Sequence, residues 1–126
     1  MTQEKTLKYN KKCAKFLGWQ NLNDESFPEY IDKLANFYSL KDLLFNSDWN
    51  WIMEVVEIIE KLDVDKNKFS SHPFYQGFDL ETQSYYAHFQ FGEDLNFNGK
   101  SYISKKEAAV EALNQFLTWY EQNNKS

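Results

Sequence analysis

From Asn46 to Lys61 the chain reads as a well-started helix, ending near Leu62, that is apolar around most of its circumference. Stepping residues about 100° apart places Trp51, Ile58, Leu62, Val55, Ile59, Ile52, Val56, Trp49 and Met53 on an arc of roughly 220°. Asn50, Glu54, Glu57 and Lys61 share the narrow remainder, where Glu57 and Lys61 form an i, i+4 pair. A helix apolar around most of its girth has to lie inside, gripped by neighbours on several sides. Ser47 offers an N-cap hydroxyl, and Asp48 places negative charge on the first turn, where the helix dipole favours it.

Two further helices frame this one. The first spans Gln3 to Leu17 and stops at Gly18, a residue suited to the left-handed position past a helix end. Phe16, Tyr9, Cys13, Leu17, Ala14 and Leu7 cover one side of it. Lys8, Lys11, Lys12 and Lys15 line the other, as a solvated stripe or as a strip docked on an anionic surface. The last helix opens at Ser104-Lys105-Lys106-Glu107, a capping box. Its broad apolar face runs from Ala108 to Tyr120, and the early alanines leave room for a sheet to approach.

Between Phe69 and Ile103 the period becomes two. Tyr85, Ala87, Phe89 and Phe91 point one way and Tyr86, His88 and Gln90 the other. A strand at Phe74–Leu80 pairs with this one through a turn at Glu81-Thr82-Gln83. Asn98-Gly99 reads as a type I′ hairpin turn between strands Leu95–Phe97 and Ser101–Ile103. Residues 20–45 show no sustained period: Asn21, Asn23, Asp24, Glu25 and Ser26 suggest a polar loop, followed by a helical turn and a short strand near Leu43–Phe45. Asp63 to Lys68 forms a charged turn, and 123–126 a frayed tail. The expectation is an α+β fold, a single globular domain over 1–126 with three main helices packed on both faces of a small antiparallel β-sheet.

Composition narrows the function classes. With 126 residues, including eleven Phe, eight Tyr and four Trp, one domain can bury an adequate core without disulfides or metal. The single cysteine excludes an internal disulfide and points to a reducing compartment. No apolar run approaches the ~20 residues of a membrane span. The net charge of −5 divides into +4 over the first twenty residues and −9 over the rest. That acidity opposes general nucleic-acid binding. All fourteen cations are lysines, so no arginine fork is available to grip guanine, and sequence-specific recognition of DNA is not expected.

No motif carries chemistry. Gly99-Lys100-Ser101 fails as a phosphate-binding P-loop because Asp94 stands where the motif requires glycine. His72 and His88 lack zinc-ligand spacing, and no nucleophile elbow is present. Neither an enzyme, a cofactor nor a metal site is expected.

Three blocks do carry a likeness: Asn10 through Trp19, Phe45 through Glu57, and Ser104 through Ala108 with Phe116 through Tyr120. Together they resemble the small phage and prophage proteins of the phage ABA-sandwich domain family, with Cys13 in place of the usual aliphatic and Ile58 where lysine is common. The resemblance implies helical layers on either side of an antiparallel sheet, phage or prophage origin, and action in a bacterial cytoplasm. It supplies no catalytic residues, and fold kinship alone assigns no reaction.

The function expected from this reading is binding. In one form the chain sequesters a nucleotide-like small molecule, such as a signal of host defence. Trp49, Trp51, Tyr86 and His88 would stack on the base, and Lys100, Lys105 and the helix start at Ser104 would meet phosphate. In another, its acidic surface docks on a host defence protein. A phage structural or assembly component is a third possibility, and an oligomer is compatible with each.

Overall fold

The computed structural model describes residues 2–21, 30–61, 74–91 and 95–123. In chain order they form α1 (Gln3–Phe16), β1 (Gln20–Asn21), β2 (Tyr30–Ile31), β3 (Phe37–Tyr38), a 3-10 turn (Leu40–Asp42), α2 (Trp49–Lys61), β4 (Phe74–Asp79), β5 (Ser84–Phe91), β6 (Leu95–Ser101) and α3 (Lys105–Asn123). Two antiparallel sheets result, β1-β2-β3 from two-residue strands and the larger β4-β5-β6. The class is α+β.

Local chemistry sets the helix limits. Thr2 accepts the Lys5 N–H at the start of α1. At its end Gly18 takes φ +78°, with Gly18 N bonded to Lys15 O and Trp19 N to Ala14 O, the paired bonds of a Schellman ending. The cap of α2 falls one residue later than expected: Asp48 Oδ1, and not the Ser47 hydroxyl, accepts from Asn50 N at 2.8 Å. The capping box of α3 forms in a modified way. Ser104 Oγ accepts the Glu107 N–H, but the Glu107 carboxylate accepts from the hydroxyl of Ser101, which itself accepts the N–H groups of Ile103 and Ser104.

The interior helix is α3 and not the tryptophan-bearing α2. Ala108, Ala109, Val110, Ala112, Leu113, Phe116 and Leu117 of α3 are all buried. On α2 the buried residues are Ile52, Val55, Val56 and Ile59, while Trp49, Trp51 and Met53 are half-buried and Ile58 is exposed. The fully buried stripe is narrower than the apolar arc, and Trp49, Trp51 and Met53 pack on the core from its margins. The expected Glu57–Lys61 ion pair does not close. Phe116 sits at the centre of the core, its ring 5.4–6.0 Å from those of Phe16, Phe89, Phe91, Phe97, Trp119 and Tyr120. Pairs at such separations contribute about 0.5–1.5 kcal/mol each beyond area burial.

Strand β5 alternates as expected, with Ala87, Phe89 and Phe91 buried under α3. The turn at Glu81-Thr82-Gln83 is present, and Gln83 adopts φ +54°. Asn98-Gly99 is no turn. Both residues lie inside continuous β6, where Gly99 pairs with Ala87 and Asn98 with His88. A Cβ at Gly99 would lie 1.9 Å from the Ala108 carbonyl oxygen and 2.7 Å from Ala112 N. Glycine is there because the backbone of α3 rests on the strand, a demand as strong as that of a turn. Strand β6 is also an edge, and Gln115 and Glu111 of α3 accept the N–H groups of Asn98 and Lys100, which covers part of that edge.

Helices on both faces of the sheet find no support among the described residues. Helix α3 packs on one face of β4-β5-β6, and α1 and α2 pack against α3. Tyr75 and Tyr86 on the opposite face remain 43% and 39% exposed.

No strand forms at Leu43–Phe45. The 3-10 turn is closed by a 2.6 Å bond from Ser39 Oγ to Asp42, and a second turn follows with Asp48 N bonded to Leu44 O. Side chains of α1 take the carbonyls a strand would have used: Tyr9 OH donates to Phe45 O and Asn10 Nδ2 to Leu43 O. The polar loop beyond Asn21, the charged turn after Leu62, His72 and the tail beyond Asn123 lie outside the described residues.

Between β2 and β3, Asp32 organises a tight turn. Its carboxylate accepts from Leu34 N, Asn36 N, Asn36 Nδ2 and Tyr38 OH at 2.9–3.3 Å, and Ala35 is carried at φ +65°. Burial pushes the Asp32 pKa up, but these donors outweigh it and hold the carboxyl below its ordinary 3.8.

Two outcomes follow for stability. Gly99→Ala forces α3 off the sheet and should cost about 3 kcal/mol in chemical denaturation, whereas Gly77→Ala meets only the tip of the Tyr86 ring and should stay near wild type. Because the folded pKa of Asp32 is lowered, its contribution is complete above 3.8 and is lost as pH falls below that value. Asp32→Asn should therefore remove an acid-sensitive component from a stability profile measured between neutral and acid pH.

Candidate functional site

The outer face of β4-β5-β6 gathers part of the expected site. Cross-strand register sets Gly77, Tyr86 and Lys100 in one row and Tyr75, His88 and Asn98 in the next. The Tyr86 ring lies over Gly77, whose missing Cβ would otherwise approach its hydroxyl to 2.6 Å. The Lys100 ammonium stands 5.0 Å from the centre of the Tyr102 ring, a cation–π distance, and the Tyr75 ring lies 5.3 Å from that of His88. Tyr86, His88 and Lys100 thus belong to one surface.

The other expected residues do not join it. Trp51 is held in an aromatic cluster with Trp19, Tyr38 and Phe45, at ring separations of 4.9–5.6 Å. Within that cluster Trp19 stacks on Tyr38 at an interplanar angle of 17°. Each of these rings thus has other rings of the cluster as its neighbours. Trp49 is half-buried against the core beside it. Ser104 commits its hydroxyl to the Glu107 N–H, and Lys105 is exposed on the first turn of α3.

A cavity of about 550 Å³ opens beside β6, lined by Lys5, Thr6, Asn46, Lys100, Ser101, Glu107, Val110, Glu111 and Asn114. Of these only Lys100 was expected. The lining carries charges of both signs. Lys5 and Lys100 come from α1 and β6. Glu107 and Glu111 come from α3, and each already accepts a hydrogen bond, from Ser101 Oγ and from Lys100 N respectively. Asn46 is fixed by Asn10 Nδ2 at 3.2 Å. Asn10, 2% exposed, leaves its own Oδ1 without a partner among the described residues. In the sequence, Glu107, Glu111 and Asn114 read as the solvated strip of a helix. The signal missed was that β6 ends against that strip.

Cys13 is fully buried, and burial pushes its thiol pKa up against smaller lowering effects of Tyr9 and Lys12, which keeps it protonated and inert. Among the described residues no three His, Cys, Asp or Glu side chains gather as metal ligands, and no helix is long and apolar enough to cross a membrane. Part of the lysine stripe is docked: Lys12 Nζ donates to Thr118 at 2.8 Å and Lys15 approaches Glu121 at 3.9 Å.

In comparisons with known proteins, no family model, curated protein or solved structure matches this chain.

The wall of the cavity depends on Asn10. Replacing it with alanine should cost about 2 kcal/mol by leaving the buried Leu43 carbonyl unpaired, and should free Asn46, read as faster amide exchange over residues 43–47.

Proposed function

We propose that this chain is a non-enzymatic binding protein and that its ligand is a small phosphorylated molecule of the nucleotide class, held in the cavity beside β6. The observation that carries this reading is the convergence of Lys5 and Lys100, from opposite ends of the chain, on one cavity of about 550 Å³. That volume falls within the range of small-molecule sites. Two ammonium groups suit a phosphate or diphosphate. The opposite wall, with Glu107, Glu111, Asn46 and Asn114, accepts hydrogen bonds from sugar hydroxyls or a base amino group. A ligand bearing both an anion and several donors fits this lining better than inorganic phosphate does. Tyr86 and Tyr102 flank Lys100 and offer π faces to a base that extends past the cavity mouth. The likeness to phage ABA-sandwich proteins supports a setting in which sequestering such a signal blunts host defence in a bacterial cytoplasm.

A second reading rests on α2, where Glu54 and Glu57 are exposed and Glu60 half-buried, none of them in an ion pair among the described residues. Such a strip suits docking on a basic face of a host protein. A partner captured at low salt and released at high salt, and lost with a Glu54→Lys/Glu57→Lys variant, would favour this reading over the first.

Calorimetry and thermal shift with cyclic dinucleotides and ADP-ribose derivatives test the first reading. A ligand at a hundred times its Kd should stabilise the fold by about 2.7 kcal/mol, raising Tm by roughly 10 °C. The Lys5→Glu/Lys100→Glu variant should show no such rise. A flat response of the wild type across the panel rejects the reading.

A further inference from the structure

One end of β4-β5-β6 exposes apolar side chains that no described element covers. Leu80, in the β4–β5 turn, is 82% exposed, Ile103 beyond β6 is 79% exposed, and Tyr102 beside it is 68% exposed. Turns favour polar residues and glycine, so a leucine this open calls for a reason. The strand ends bring these residues to the same end of the sheet. Asp79 opposes Ser84 and Tyr85 opposes Ser101, so Leu80 and Ile103 lie two strand spacings apart, about 10 Å, across the end of the sheet.

The charges flanking the patch differ in sign, the carboxylates of Glu107 and Glu111 on the β6 side being already taken by the Ser101 hydroxyl and the Lys100 N–H. On the β4 side stand the exposed Asp79 and Glu81; on the β6 side stand the exposed Lys100 and Lys105. Neither Glu81 nor Lys105 has an ion pair among the described residues. An acidic lobe, an apolar centre and a basic lobe in a row are self-complementary. A two-fold axis through the centre lays the Leu80 side of one copy on the Ile103 side of the other and sets Glu81 against Lys105 twice. That is the pattern of an isologous interface.

We propose that this end of the sheet is the contact surface of a homodimer, with a second copy of the chain as its occupant. The surface shares Lys100 with the cavity beside β6, but the residues on which its test rests, Leu80, Glu81, Ile103 and Lys105, do not line that cavity, so the inference stands whether or not the cavity binds a nucleotide.

Sedimentation velocity over a micromolar concentration series tests it on the intact chain. The wild type should pass from the 15.1 kDa monomer to a species of twice that mass, with dissociation favoured by salt. Leu80→Asp and Ile103→Asp should remain monomeric with unchanged far-ultraviolet dichroism, because both positions are solvent-exposed in the monomer. Glu81→Lys and Lys105→Glu should each weaken association about tenfold, since each sets like charges face to face at two symmetric positions. The double exchange Glu81→Lys/Lys105→Glu should restore it. A wild type that stays monomeric, a dimer indifferent to Leu80→Asp, a double exchange that fails to restore association, or growth past the dimer would each overturn the proposal.

Discussion

The contact of α3 with β6 at Gly99 fixes the rest of this fold. With no side chain between them, the Ala108–Ala112 backbone settles on the strand, and that closeness brings Phe116 down onto Phe89, Phe91 and Phe97. The same closeness lets Glu111 and Gln115 reach the N–H groups of the edge strand. Burial, edge protection and the aromatic centre therefore share one geometric condition. Helix α1 then seals the far side of α3 through Phe16, whose ring meets Phe116 and Tyr120 edge-on.

Much of this was legible in the residues. Three helices, the alternation of β5 and the Gly18 ending follow from periodicity and from residues with narrow conformational preferences. What misled was information that is tertiary in origin. Asn98-Gly99 satisfies the local rule for a hairpin, yet a strand crossed closely by a helix asks for the same glycine. The apolar arc of α2 is wider than that of α3, but width measures only what a helix could bury. Alanine lets α3 be approached from several sides, whereas tryptophan on α2 fills its own surroundings. Residues 43–45 look like a strand because their carbonyls need partners, and α1 supplies those partners through Tyr9 and Asn10 at separations of 36 and 33 residues. No local window contains that.

The site was legible only in part, for the same reason. Tyr86 and His88 share a sheet face because their parity is written in β5, whereas Lys100, read as following a turn, joins them only because β6 runs on through Gly99. The cavity could not be read in this way: its lining combines the start of α1, the turn before α2, the end of β6 and the polar strip of α3. Each contribution taken alone is an ordinary solvated side chain. Their polarity becomes informative only when the helix lies beside the strand and brings lysines and glutamates to one cavity.

The interior position of α3 also has a consequence for synthesis. Every strand and helix that α3 touches precedes it along the chain. During translation those elements emerge from the ribosome with their apolar faces uncovered and wait for the segment that unites them. Final consolidation is necessarily late, and the nascent intermediates are the species most open to capture by chaperones or to aggregation.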